Sequence, residues 1–153
     1  MKIRDEYKKI ILKDFDFAIS SMREADTITV IMYHFSALHG VLNRIFNLEY
    51  SSTLVFIHDV LSNCYKAIMA RMSSKFADPL SPVIISDELL DYLVDAVETL
   101  RHKIEAEEEV YSTLELISNL AYMTTGNGFY LLAKGAAKLE KIDTQSNKKL
   151  TSK

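Results

Sequence analysis

The chain has 153 residues, of which 48% are hydrophobic and 25% charged, with only four Gly, two Pro and one Cys. A chain of this length buries enough surface to fold as one domain without disulfides or a metal, and a single cysteine excludes an internal disulfide. The net charge of −3 is not the basic balance typical of a nucleic-acid-binding domain, and no apolar run approaches the ~18 residues of a membrane span. The charged N-terminus is not a secretory signal, so we expect a cytoplasmic protein.

Apolar side chains recur at helical spacing through the first half of the chain. In residues 2–24 they form one stripe, which Ile10 and Phe17 widen. The next segment begins with β-branched residues, but its sustained 3-4-3-4 apolar repeat predicts helix rather than strand. Ser51 or Ser52 can cap a third helix. The three predicted stripes comprise Tyr7, Ile11, Phe15, Ala18 and Met22; Ile28, Ile31, Phe35, Leu38, Leu42 and Ile45; and Leu54, Ile57, Leu61, Cys64, Ile68 and Met72.

The second half of the chain predicts a long fourth helix and a shorter last one. Both prolines lie in residues 77–86, which predicts an irregular connection. Ser86 and the acids after it begin a fourth helix whose periodicity continues to about Met123. The glycines of "TTGNG" then end it, and a last helix is predicted over 129–142. The stripe of the fourth helix comprises Leu93, Val97, Leu100 and Ile104.

Long amphipathic helices joined by short turns predict an all-α fold, an antiparallel up-and-down four-helix bundle with an additional shorter C-terminal helix. Residues 1–142 are predicted to form a single helical-bundle domain. Residues 143–153 are predicted to form a polar, disordered tail. Gly40 lies in the middle of the second helix, where it costs roughly 1 kcal/mol relative to alanine, so we expect a close backbone approach or a bend there.

Charge is distributed unevenly along the chain. Residues 87–109 carry nine acids against two basic residues, whereas residues 134–153 carry six lysines against two acids. The basic end can contact an anionic partner, although a solvated tail is the ordinary interpretation of scattered lysines.

The stretch "RHKIEAEEEVYSTLE" places acids and a histidine at helical spacing. Glu98, His102, Glu105 and Glu109 share one face of a continuous helix, about 140° away from the apolar stripe. Since metal ligands in a helical bundle project inward, this row predicts a solvated face.

Glu107 and Glu108 instead interrupt the apolar stripe after Ile104. Three explanations are open: the helix kinks or ends there, the glutamates pair with Arg44, Arg71 or a histidine, or they bind a metal or ligand inside the bundle.

The candidate metal ligands are Glu107 and Glu108 together with His34 and His58. Di-iron bundles carry two Glu-x-x-His motifs, and none of the four histidines here has an acid three residues before it. His34 and His58 lie at the margins of their stripes, where a hydrogen-bonded boundary histidine is the usual case. Phosphate loops, Rossmann glycines and nucleophile elbows are also lacking, so no catalytic residue and no cofactor is predicted.

The segments "MKIRDEYKKIILKDFDFAI", "DTITVIMYHFSALHGVLNRIF" and "PLSPVIISDELLDYLVDAVETLRHKIEAEEEVY" resemble an uncharacterised archaeal family of small proteins. The resemblance covers residues 3–142 and implies a left-handed antiparallel four-helix bundle with ferritin-like character. Cobalamin adenosyltransferases share this bundle shape, and "LRHKIEAE" is similar to their arginine-rich helix, but their glycine- and threonine-rich ATP-binding N-terminus is lacking. "NLAYMTTGNGFYLLAKGAAKLEKI" is similar to one tetratricopeptide hairpin, which implies a peptide-binding element.

From the wide stripes, the small residues of "AKGAA" and the lack of catalytic motifs, we expect a non-enzymatic bundle that self-associates as a homo-oligomer and acts as an interaction or scaffold module. The alternative is a ligand- or metal-binding bundle enzyme that uses Glu107 or Glu108 with the marginal histidines.

Overall fold

In a computed structural model, which describes residues 2–25, 28–73 and 87–123, the chain is all-helical. The helices are α1 (Asp5–Arg23), α2 (Ile28–Leu48), α3 (Ser52–Ser73), α4 (Asp87–Ala106) and α5 (Tyr111–Met123). The all-α class is therefore confirmed for the described ranges. The predicted proline-containing connection, the last helix over 129–142 and the tail over 143–153 lie outside them.

The apolar stripes form the core, as their spacing predicts. The largest fully buried side chains include Phe15 on α1, Phe35 on α2 and Leu93 on α4. The predicted widening of the α1 stripe is wrong, because Ile10 is 47% exposed and Phe17 is 68% exposed. The stripe residues that are buried comprise Ile11, Phe15, Ala18, Met22, Ile31, Phe35, Leu38, Leu42, Ile45, Leu54, Ile57, Leu61, Cys64, Ile68, Leu93, Val97, Leu100 and Ile104.

The helices pack as a bundle in which α1 contacts α2 and α4, α3 contacts α2 and α5, and α4 contacts α5. Two contacts show that α1 and α4 run antiparallel. Arg23 at the end of α1 pairs with Asp95 in the first half of α4, and Lys8 near the start of α1 donates to the carbonyl of Glu105 near the end of α4. Helix α5 contacts both α3 and α4 and so lies between them in this bundle.

Helices α3 and α5 run in the same direction. Phe56 stacks on Tyr111 near the starts of the two helices, with ring centroids 5.8 Å apart. Farther along, Cys64 lies close enough to Tyr122 to raise the pKa of that phenol, together with burial of the phenol. This parallel pair leaves a groove along the outside of the bundle.

Helix α4 ends at Ala106 and α5 begins at Tyr111, so the long fourth helix predicted to about Met123 is divided in two. A helix end, one of the three explanations left open for Glu107 and Glu108, is therefore found at this point. Glu107 has a φ of 55°, in the left-handed region that glycine usually occupies at this position. The Glu107 amide donates to the carbonyl of Ile104 at 3.2 Å, and the Glu108 amide donates to the carbonyl of Lys103 at 2.9 Å. Those two bonds are the Schellman pattern of a helix C-terminus, and they turn the chain back so that α5 packs against α4.

Side chains cap the starts of α3 and α5, which lie at the same end of the bundle. The Ser51 hydroxyl accepts the Leu54 amide at 3.3 Å, which confirms Ser51 as a cap of α3. The carboxylate of Glu109 accepts the amides of Tyr111 and Ser112 at the start of α5. Glu109 therefore does not belong to the face of α4 on which a continuous helix would place it.

Gly40 does not mark a close approach within the described part of the chain. A Cβ atom built on it would meet only the Nη1 atom of Arg44, at 3.9 Å, which is an ordinary van der Waals distance. The expected backbone contact is thus not made inside this portion of the molecule.

Two further properties bear on function. Cys64 is fully buried, as its place in the apolar stripe of α3 predicts, and burial raises the pKa of its thiol to about 12. Within the described ranges, none of the helices combines the length and the apolar character that a membrane span requires.

Candidate functional site

The carboxylate of Glu107 holds the N-terminal segment against the turn between α4 and α5. Its Oε1 atom accepts the Ile3 amide at 2.8 Å and forms an ion pair with the Lys8 ammonium at 3.3 Å. The hydrogen bond from Ile3, followed by that from Lys8, lowers the pKa of Glu107 below its ordinary value. Glu107 is therefore paired, but with Ile3 and Lys8 rather than with the predicted Arg44 or a histidine, and the predicted side chain of Arg71 lies outside the described part of the chain.

A surface pocket of about 520 Å³ lies beside this turn. Glu108 and Glu109 line it together with Glu107, and hydroxyl and aromatic side chains complete the wall. The Glu109 carboxylate caps α5, and the Glu107 carboxylate binds Ile3 and Lys8. Of these three glutamates, Glu108 is the one whose carboxylate takes part in neither of these contacts. The lining residues are Ser52, Thr53, Phe56, Glu107, Glu108, Glu109, Val110 and Tyr111.

His34 lies elsewhere, in the seam between α1 and α2. It is buried, and its ring contacts Phe17 edge-on at 5.9 Å and Tyr33 at 5.2 Å between centroids. Burial lowers the pKa of His34, so the neutral imidazole is favoured. Its surroundings are aromatic rather than the acids a metal site needs.

His58 belongs to a third location, between α2 and α3. Its ring lies 5.4 Å from that of His39 and 5.2 Å from that of Phe46, and its Nδ1 atom lies 3.0 Å from a carboxylate oxygen of Asp59. The Nε2 atom of His39 is buried and has no hydrogen-bond partner. Burial, and secondarily the charges of His58 and Lys66, lower the pKa of His39.

The structure does not bring the four candidate metal ligands together. Glu107 and Glu108 lie at the α4–α5 turn, whereas His34 and His58 lie in two different seams. Within residues 2–25, 28–73 and 87–123, no group of three or more His, Cys, Asp or Glu side chains has the arrangement that would hold a metal ion. Convergence of these residues on one inward-facing site is therefore not found.

The acidic row on α4 is exposed, as its angle from the core predicts, and it contacts α1. Arg23 pairs with Asp95 at 2.6 Å and with Glu98 at 2.7 Å. Arg101 pairs with Asp16 at 2.8 Å and also with Glu105. Sequence reasoning missed this seam, because opposite charges on α1 and α4 become partners only once the two helices are known to be antiparallel neighbours.

Sequence reasoning also missed a fixed aromatic patch on the outside of the α1–α2 seam. We define the aromatic patch as Phe17, Tyr33 and His34. Phe17 is 68% exposed and Tyr33 is 65% exposed, yet both rest on the buried imidazole of His34. The sequence signal was the position of Phe17 off the centre of its stripe.

Comparisons of the chain with protein-family models, with curated proteins and with solved structures give no match.

Proposed function

We propose that this protein is a non-enzymatic helical bundle that acts as an interaction or scaffold module and associates with a second copy through the aromatic patch. The observation that carries the proposal is the exposure of Phe17 and Tyr33 on a rigid support. Burying two such rings against a partner removes a large apolar area from water. Since both rings already rest on His34, ordering them on binding costs little conformational entropy.

Gly40 supports the same face. It lies seven residues after Tyr33 on α2, and seven residues are two helical turns, so both positions face the same side of the helix. A glycine that lowers helix stability and has no close neighbour among the described residues of its own chain leaves space for the backbone of a partner. The same patch meeting itself about a two-fold axis gives a closed dimer.

The test is sedimentation equilibrium of the full chain across a wide range of concentrations. We expect a dimer that Tyr33→Glu dissociates, because the new charge would be buried in the interface. Tyr92→Glu is the matched control, since Tyr92 is a tyrosine of similar exposure, 61%, on α4. A wild-type chain that stays monomeric throughout, or equal dissociation by both variants, would overturn the proposal.

Several finer expectations remain predictions beside this proposal: the cytoplasmic location, the up-and-down four-helix order, the ferritin-like character and membership of the archaeal family. A metal- or ligand-binding bundle enzyme is the weaker alternative, because Glu107 already accepts from Ile3 and Lys8 and its predicted histidine partners lie elsewhere. Elemental analysis of the untagged protein, with a Glu107→Ala, Glu108→Ala double variant as control, tests that alternative.

A further inference from the structure

The groove between the parallel helices α3 and α5 is open and partly apolar. We define the α3/α5 groove by Phe56 and Val60 on α3 and by Tyr111, Leu114 and Ser118 on α5. It encloses about 190 Å³. The stacked rings of Phe56 and Tyr111 lie at the end of the groove where α3 and α5 begin, and they are 40% and 64% exposed, respectively.

Helix α5 also exposes apolar side chains beyond this groove. Leu116 is 49% exposed and Met123 is 39% exposed, although α5 has only 13 residues. At 100° per residue these two side chains lie on a different face of α5 from Leu114 and Ser118, so the exposed ring that α5 presents to the groove is Tyr111. A stacked pair of exposed rings, Phe56 and Tyr111, is typical of a surface that has a further packing partner.

The chain that follows α5 has the length to be that partner. Helix α5 spans about 20 Å, and a helix over 129–142 would span about 21 Å. The five residues 124–128, "TTGNG", contain the two glycines that suit a reversal between antiparallel helices. A helix that begins there and returns along α5 would therefore end beside the turn between α4 and α5.

The chemistry of residues 129–142 fits the groove. At 100° per residue, Phe129, Leu132, Ala136 and Leu139 share one face of a helix, whereas the lysines of the segment lie on the other side. The apolar face matches the apolar part of the groove, whose lining also includes Glu115 and Asn119, and the lysines would remain in water. The lysines of this segment are Lys134, Lys138 and Lys141.

Charge favours the same direction of packing. The predicted end of the segment brings Lys141, and then Lys148 and Lys149, to the end of the bundle where Glu108 and Glu109 line the surface pocket. Opposite charges that meet at one end of a helix pair favour that orientation over its reverse.

We propose that residues 129–142 of this chain pack as a helix in the α3/α5 groove, antiparallel to α5, and cover Phe56 and Tyr111. The packed segment adds a further layer to the bundle on the side of α3 and α5, and it leaves the aromatic patch of the α1–α2 seam uncovered.

Cross-linking of the full chain tests this arrangement. Ser118→Cys on α5 and Ala133→Cys on the segment are brought near each other by the proposed register, because Ala133 lies at the margin of the apolar face of the segment, and a short bis-maleimide joins them. Cys64 does not compete, because it is fully buried and its thiol pKa is about 12. The control pair is Ala133→Cys with Ser20→Cys, which places the second thiol at an exposed position of α1.

We expect an intrachain cross-link for the first pair, little for the control pair, and at least a tenfold loss when Leu132→Asp and Leu139→Asp are added. Tyr130→Asp, on the opposite face of the segment, should leave the yield unchanged. Equal yields for both pairs would overturn the proposal. Cross-links only between differently tagged chains would assign the groove to the segment of a second copy and would also overturn it.

Discussion

Gly40→Ala should stabilise the protein, which is unusual for a substitution in the middle of a packed helix. Within residues 2–25, 28–73 and 87–123, a Cβ at this position meets only Arg44 Nη1 at 3.9 Å, the far end of a flexible side chain at ordinary contact distance. No steric cost therefore offsets the gain in helix propensity. Alanine is favoured over glycine inside a helix by about 0.5–1 kcal/mol, chiefly because a glycine loses more backbone conformational entropy than an alanine when the chain folds. In a chain of this length that corresponds to a rise in Tm of about 1–4 °C.

The assay is urea unfolding followed by circular dichroism, at a protein concentration low enough that association does not add to stability. Ala37→Gly provides the reverse control, because Ala37 is exposed on the same helix. It should lower the free energy of unfolding by about the amount that Gly40→Ala raises it. A lower stability for Gly40→Ala would refute the reasoning, since it would mean that α2 has a bend or a near neighbour at residue 40.

The same structure makes three further predictions. Removing the carboxylate of Glu107 should lower Tm, and Glu107→Ala should lower it more than Glu107→Gln. Because the folded pKa of Glu107 lies below its ordinary value, the stability that its charge contributes should be present at neutral pH and should disappear as pH falls through that folded pKa. Thermal melts from pH 7 to pH 3 measure this loss. Cys64 should resist a thiol reagent in the native protein and react at once in denaturant, and rapid reaction of the native thiol would contradict its burial. The folded pKa values of His39 and His34 are also lowered, so the unfolded chain takes up protons first, and the free energy of unfolding should fall as pH drops through about 6.5. His39→Phe should make that decrease smaller. An unchanged pH profile of the variant would argue against a contribution from His39.

Spacing in the sequence was enough to locate the core. The period of α2 outweighed its β-branched beginning, and Ile31, Phe35 and Leu38 are buried as that period predicts. The same method failed at Phe17, because a residue at the edge of a stripe can lie on either side of the boundary that the neighbouring helix sets. Which side it takes depends on where α2 packs, and the sequence of α1 carries no information on that position.

The partners of Glu107 could not be found from spacing either. Ile3 is 104 residues away and contributes a backbone amide, which every residue except proline possesses. The signal that the sequence did contain was the acid in place of an apolar residue, and it indicated the helix end correctly. Because no glycine is present there, the left-handed residue itself could not be identified in advance.

Glu107 is better explained as a structural residue than as an uncommitted ligand. A metal ion on Oε1 would have to displace the Ile3 amide and the Lys8 ammonium, which would leave a backbone donor and a positive charge without their acceptor. A metal ion on the other oxygen of the same carboxylate would lie beside the Lys8 charge and be repelled by it. The backbone hydrogen bonds of the turn direct α5 back toward α3, and the carboxylate whose place in the stripe first suggested a binding site holds the N-terminal segment against that turn.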